Sequence, residues 1–121
     1  MFRRQGVRTA PVAPTIGRGL LGALAAVFVA LAAADRAAAD EKLARARHCF
    51  ACHQVEKKLV GPAYRDIAAR YRNDTGAEAR LTRKIREGGV GDWGVVAMAP
   101  NPALTEADAR TLARWVLSLG R

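Results

Sequence analysis

Hydrophobic positions fall into two patterns along this chain. In three stretches they recur every three or four residues, the spacing of one face of an α-helix. In a fourth they run on without a break. Tyr64, Ile67, Ala68 and Tyr71 share a face and predict a helix over 64–71. Leu81 and Ile85 predict another over 77–87, preceded by the turn sequence Asn73-Asp74-Thr75-Gly76 and stopped by Gly88-Gly89. Leu112, Trp115, Val116 and Leu119 form the strongest stripe, in a helix over 105–119. Thr105-Glu106-Ala107-Asp108 opens it with a capping-box pattern, and Gly120 ends it. A short helix over 41–47 is also predicted, with Asp40 as its N-cap. Gln54 to Ala63 reads as a loop around Gly61-Pro62, and Val90 to Asn101 as irregular chain broken by glycine and proline. No stretch alternates as a half-buried strand should, and no repeat is visible. An all-α fold is expected.

The unbroken run is Leu20 to Ala34, fifteen residues without a charge. It follows Arg3, Arg4, Arg8 and Arg18, and it overlaps or precedes the small-residue triplets Ala32-Ala33-Ala34 and Ala37-Ala38-Ala39. Cationic start, apolar stretch, then small residues is the order of a secretory signal. We expect residues 1–39 to be a cleaved signal peptide and 40–121 the one folded domain, with cleavage after Ala34 as the alternative. An uncleaved anchor competes, but fifteen residues rich in Ala fall short of the ~20 that span a bilayer. Gln5-Gly6 follow Arg3-Arg4 where a twin-arginine signal would carry an apolar pair, which favours the general secretory route.

Charge looks different once the leader is set aside. The whole chain has 121 residues and a formal charge of +9. Residues 40–121 keep 15 basic and 10 acidic residues, a balance of +5. What remains is not clustered with stacking aromatics, so nucleic acid is not an expected partner. The 82 residues left hold only five large rings, Phe50, Tyr64, Tyr71, Trp93 and Trp115. A domain this small usually needs a disulfide, metal or cofactor at its centre. Two cysteines cannot build a disulfide framework.

Both cysteines lie in Cys49-Phe50-Ala51-Cys52-His53. C-x-x-C-H is the attachment pattern of a c-type haem. Two intervening residues let one turn of chain bring both thiols to the two vinyl groups on one porphyrin edge, and the next residue can offer its imidazole to the iron. A zinc site would need more Cys or His ligands, and only His48 remains. A thioredoxin-like dithiol would need a βαβ context that is absent. Haem c attached through Cys49 and Cys52 is expected, with His53 as an axial ligand. Met98 is the sole methionine outside the leader and sits in a Gly/Pro-rich loop, which makes it the candidate second ligand rather than a core filler. His–Met ligation suits electron transfer; an open iron would instead bind gas or peroxide. Pro62 is placed in sequence to accept the other ring N–H of His53. Trp93 and Lys84 are candidates to pair with a haem propionate.

With these residues in view, the chain over 40–121 resembles the small bacterial class I cytochromes c of the c-551/c-552 type. The resemblance rests on Cys49 to His53, Val60-Gly61-Pro62-Ala63-Tyr64, Ile85 to Gly89, Trp93-Gly94, Met98, Pro100-Asn101 and Trp115-Val116-Leu117-Ser118. It implies four or five short helices wrapped around one covalently bound haem, the first and last helices crossing. It implies His53 and Met98 as axial ligands and Pro62 as the carbonyl acceptor. Trp93 and Lys84 would lie near the inner propionate, and the Asn101 side chain would hydrogen-bond near Met98 and steady it. It also implies a soluble periplasmic carrier of single electrons, not an enzyme, and a monomer. Its partners would be redox proteins such as a nitrite reductase, a terminal oxidase or a quinol-oxidising complex. Arg45, Arg47, Lys57 and Lys58 surround the attachment motif in sequence, so those partners should dock through acidic surfaces. A membrane-tethered module and an open-site haem protein are the alternatives. The chain departs from the family pattern in two ways. His48 stands where Gly is usual before the first cysteine, and Ala97 and Ala99 flank Met98 where prolines are usual.

Overall fold

The computed structural model describes residues 18–120. The cationic start with Arg3, Arg4 and Arg8 lies outside the described residues. The chain divides into two units, Met1–Ala33 and Ala34–Arg121. Within the first, residues 18–33 are helical. The second holds the rest of the fold.

The first helix, α1, spans Arg18–Ala46. The sequence placed its start at Glu41 with Asp40 as cap, and that is corrected here: Asp40 lies inside the helix. The cause is propensity. Ala is the strongest helix former, and between Gly22 and Ala46 the chain carries neither Gly nor Pro to stop it. Residues 24–39 are exposed, and α1 enters the core at Leu43 and Ala44. No helix among the described residues is long and apolar enough to cross a membrane.

After α1 the chain reverses through His48, whose φ of 59° and ψ of 19° are left-handed. A single 3-10 turn, Cys49–Ala51, follows. Helix α2 spans Tyr64–Arg70 and buries Tyr64, Ile67 and Ala68. Helix α3 spans Ala77–Glu87, with the predicted bounds. Leu81 and Ile85 are half-buried against the core, while Ala77 and Thr82 are the buried positions. Thr82 satisfies its hydroxyl by donating to the Glu78 carbonyl at 2.7 Å. Helix α4 spans Glu106–Ser118 and buries Ala109, Leu112, Ala113, Trp115 and Val116. Its cap is the predicted one, with the Thr105 hydroxyl accepting from the Asp108 N–H at 3.1 Å.

The stretch read as irregular contains a hairpin. Strand β1 (Gly89–Gly91) pairs antiparallel with β2 (Gly94–Met98) across a two-residue turn, Asp92-Trp93. It escapes a search for alternation because β1 is three residues, two of them glycine, and β2 only five, too short for a period of two to show. The fold is four α-helices and this small sheet, with α1 far longer than the short helix expected.

One core joins the helices of the second unit. Ala44 of α1, Tyr64 and Ile67 of α2, Leu104, and Ala109, Leu112, Trp115 and Val116 of α4 pack together. The Tyr64 and Trp115 rings meet edge to face at 5.1 Å.

Candidate haem-binding site

The backbone between α1 and α2 builds the site. The 3-10 turn at Cys49–Ala51 gathers the motif, and its carbonyls collect the following amides: Cys52 and His53 both donate to Cys49. Gly61 then donates to Cys52 at 2.8 Å, Tyr64 to Gln54 at 2.9 Å and Arg65 to Val55 at 3.1 Å. These bonds fold the 54–63 loop back onto the motif.

His53 is the most constrained side chain of the site. It is 8% exposed. Its Nδ1 lies 2.8 Å from the Pro62 carbonyl oxygen. A carbonyl can only accept, so the proton sits on Nδ1 and the Nε2 lone pair is left for a metal. Tyr64 stacks on the imidazole, centroids 5.2 Å apart and planes 17° off parallel. On another side is Gly61, where an added Cβ would clash with Cε1, Nδ1 and Nε2 of the His53 ring. Glycine is required there by the close approach of the ring.

Cys49, Cys52, His53, Pro62, Lys84, Trp93, Met98 and Asn101 all line one cavity of about 490 Å³. Every candidate site residue read from the sequence is therefore brought together. The two thiols are free of each other, Cys49 half-buried and Cys52 exposed. Burial pushes the Cys49 thiol up from its ordinary value. Met98 ends β2, opposite Gly89, and is half-buried. Asn101 bonds through its backbone, donating to Arg86 at 2.9 Å and accepting from Leu104 at 3.1 Å. Lys84 pairs with the Asp92 carboxylate at 2.9 Å, which holds that acid below its ordinary value. Trp93 is 39% exposed, and the Arg70 guanidinium lies 4.6 Å from its ring centroid. His48 is exposed.

Tyr64 belongs to the site although its sequence pattern marked only a helix face. It lines the cavity, and its hydroxyl is buried with no hydrogen-bond partner. Burial drives that phenol well above its usual range. Arg70 and Asp92 were also missed; they reach each other only once the hairpin forms.

A small core opening onto a cavity that collects two thiols, a buried imidazole of fixed tautomer, a thioether and an orphaned phenol fits a haem. The residues present suit the group: sulfur for two thioether links, nitrogen and sulfur as candidate iron donors, and an apolar lining from Ile67, Leu81, Ile85 and Leu112.

The Cytochrome c family model matches residues 37–120. This chain belongs to the cytochrome c family. Cytochrome c-551 of Allochromatium vinosum is 48% identical over 92 residues, which is 76% of this chain and 98% of that one. Cytochrome c-552 of Nitrosomonas europaea is 49% identical over 90 residues, 74% of this chain and 87% of that one. The crystal structure of Nitrosomonas europaea cytochrome c552 superposes with a TM-score of 0.64 at 48% identity, covering 65% of this chain and 98% of that one. Class 1 cytochrome MtoD from Sideroxydans lithotrophicus superposes with a TM-score of 0.60 at 30% identity, covering 73% and 97%. The fold is thus that of a class I cytochrome c of the c-551/c-552 type. Its cofactor is haem c, held through Cys49 and Cys52, and the cytochrome is an electron carrier rather than an enzyme.

Proposed function

We propose that this cytochrome is a periplasmic single-electron shuttle whose haem iron is ligated by His53 and Met98. The haem, once bound, supplies the one-electron iron couple. The observation that carries the reading is the His53 Nδ1 to Pro62 carbonyl bond at 2.8 Å, which leaves Nε2 as a donor in the same cavity that Met98 lines. With both His53 and Met98 as donors a bound haem iron would keep no open position for gas or peroxide, and the soft thioether would favour the reduced metal. Trp93, Lys84 and Asn101 border the same cavity and are assigned to the cofactor's surroundings: Trp93 toward a propionate, Lys84 shared between a propionate and the Asp92 carboxylate it already meets, and Asn101 beside Met98.

Docking is assigned to acidic surfaces of redox partners, in the manner of nitrite reductases, terminal oxidases or quinol-oxidising complexes. Of the four basic candidates, Arg45 pairs with Glu41 at 2.6 Å and Arg47 with Asp108 at 3.7 Å. Lys57 and Lys58 are exposed, and Lys58 borders the cavity, so these two carry the steering charge. Reduction by such partners should slow as salt rises, because exposed charges are screened.

The leader reading supports export with cleavage after Ala39. The test is absorption spectroscopy of protein matured in a host that attaches haem c. The oxidised form should show the weak far-red band of iron–thioether ligation, and Met98→Ala should abolish it and let the reduced form bind carbon monoxide rapidly. A wild-type protein without that band, or one that binds carbon monoxide at once, would overturn the ligand assignment. The same preparation should begin at Asp40; a chain beginning at Met1 and staying with membranes would favour a tethered module.

A further inference from the structure

Val90, Val96 and Met98 of the hairpin line the haem cavity and no hairpin residue joins the helix core, so the hairpin meets the helices only at its base and tip. A two-stranded hairpin alone is marginal in water. At its base, the Asn101 N–H donates to the Arg86 carbonyl at 2.9 Å. Gly88 there lies so close to the Met98 carbonyl that a Cβ would not fit. At its tip, three contacts converge on Asp92 and Trp93. Arg70, the last residue of α2, donates to the Asp92 carbonyl oxygen at 2.6 Å. The same guanidinium lies over the Trp93 ring at 4.6 Å. Lys84 of α3 reaches the Asp92 carboxylate at 2.9 Å.

We propose that Arg70, Asp92 and Lys84 are positioning residues for Met98: they clamp the hairpin tip to α2 and α3 and so fix the strand that presents the thioether. The proposal rests on the reading of Met98 as an iron ligand. A single exposed ion pair would be too weak to do this. Here one planar guanidinium makes a backbone hydrogen bond and a cation–π contact together, which an ammonium, lacking the flat fork, reproduces only in part. The second helix adds its own charge to the same acid. The tip is thereby tied from two helices, and β2 runs five residues from Gly94 to Met98. Releasing the tip frees the ligand to leave the metal.

The experiment compares holo wild type, Arg70→Ala, Arg70→Lys and Asp92→Asn. Two quantities are read in each, the far-red band of the oxidised protein and the displacement of Met98 by added imidazole. Arg70→Ala should be displaced about three- to tenfold more readily. Arg70→Lys should recover part of that loss, because it keeps charge without the flat fork. Asp92→Asn removes the Lys84 pair while leaving the carbonyl that Arg70 binds, so its effect should be smaller and in the same direction. If Arg70→Ala lowers the melting temperature but leaves imidazole displacement unchanged, its role is structural and the clamp is overturned, while the ligand reading stands. If Arg70→Ala does not fold, Asp92→Asn decides alone, and unchanged displacement overturns the proposal. A wild type lacking the far-red band instead overturns the ligand reading beneath it.

Discussion

Around His53 the chain bonds to itself at nearly every turn. Cys49, Cys52, Gln54 and Val55 all lend carbonyls to amides of the motif, the loop and α2, and Pro62 fixes the imidazole itself. Around Met98 the supports are a short hairpin, one backbone bond at its base and three side-chain contacts at its tip. The first region is held by main chain, which any sequence with the right turns reproduces. The second is held by particular side chains, any of which a single substitution removes. The ligand on the hairpin should therefore be the one that comes and goes, while the imidazole stays.

The largest test of this contrast is Tyr64→Ala. The ring is buried, touches His53, Phe50 and Trp115, and anchors the imidazole side. Its loss should cost about 3–5 kcal/mol in chemical denaturation of the holo-protein. A cost no greater than that of an ordinary surface change would show that the His53 region is not the rigid one. His48→Gly should act the other way. His48 is the only non-glycine residue at positive φ among those described. Removing its Cβ should raise stability by up to about 1 kcal/mol, the relief of left-handed strain offset by the greater freedom of glycine when unfolded. Unfolding at or below the wild-type denaturant midpoint would deny that strain. Ala99→Pro sharpens the hairpin side. Proline restricts the chain before folding, and the gain of about 0.4–1 kcal/mol should make imidazole displacement two- to fivefold harder. Easier displacement would mean that the added ring strains the Met98 segment.

Much of this could be read before any coordinates. Both cysteines, His53 and Met98 announce a chemistry by type and spacing, and α2, α3 and α4 announce themselves because each buries one face. Where an element is too short to repeat, the pattern falls silent. β1 and β2 have three and five residues, too few for alternation to register. The start of α1 was misplaced for the opposite reason: Asp40 has the chemistry of a cap, but a run of alanines before it leaves no cause for the helix to begin there. Arg70 and Asp92 stand 22 positions apart and look like ordinary surface charges until the turn brings them together. Tyr64 was legible as a core residue but not as the ring against His53, because stacking depends on how the 54–63 loop returns to the motif.

The bare α-carbon at position 61 has one more consequence. Every codon one base change away from a glycine codon either stops translation or, unless silent, adds at least a methyl group, and no such group fits beside that imidazole. Silent changes aside, the gene has no neutral neighbours at this site. In a set of descendants diverging freely elsewhere, this position should stay frozen even where the charges on the surface drift.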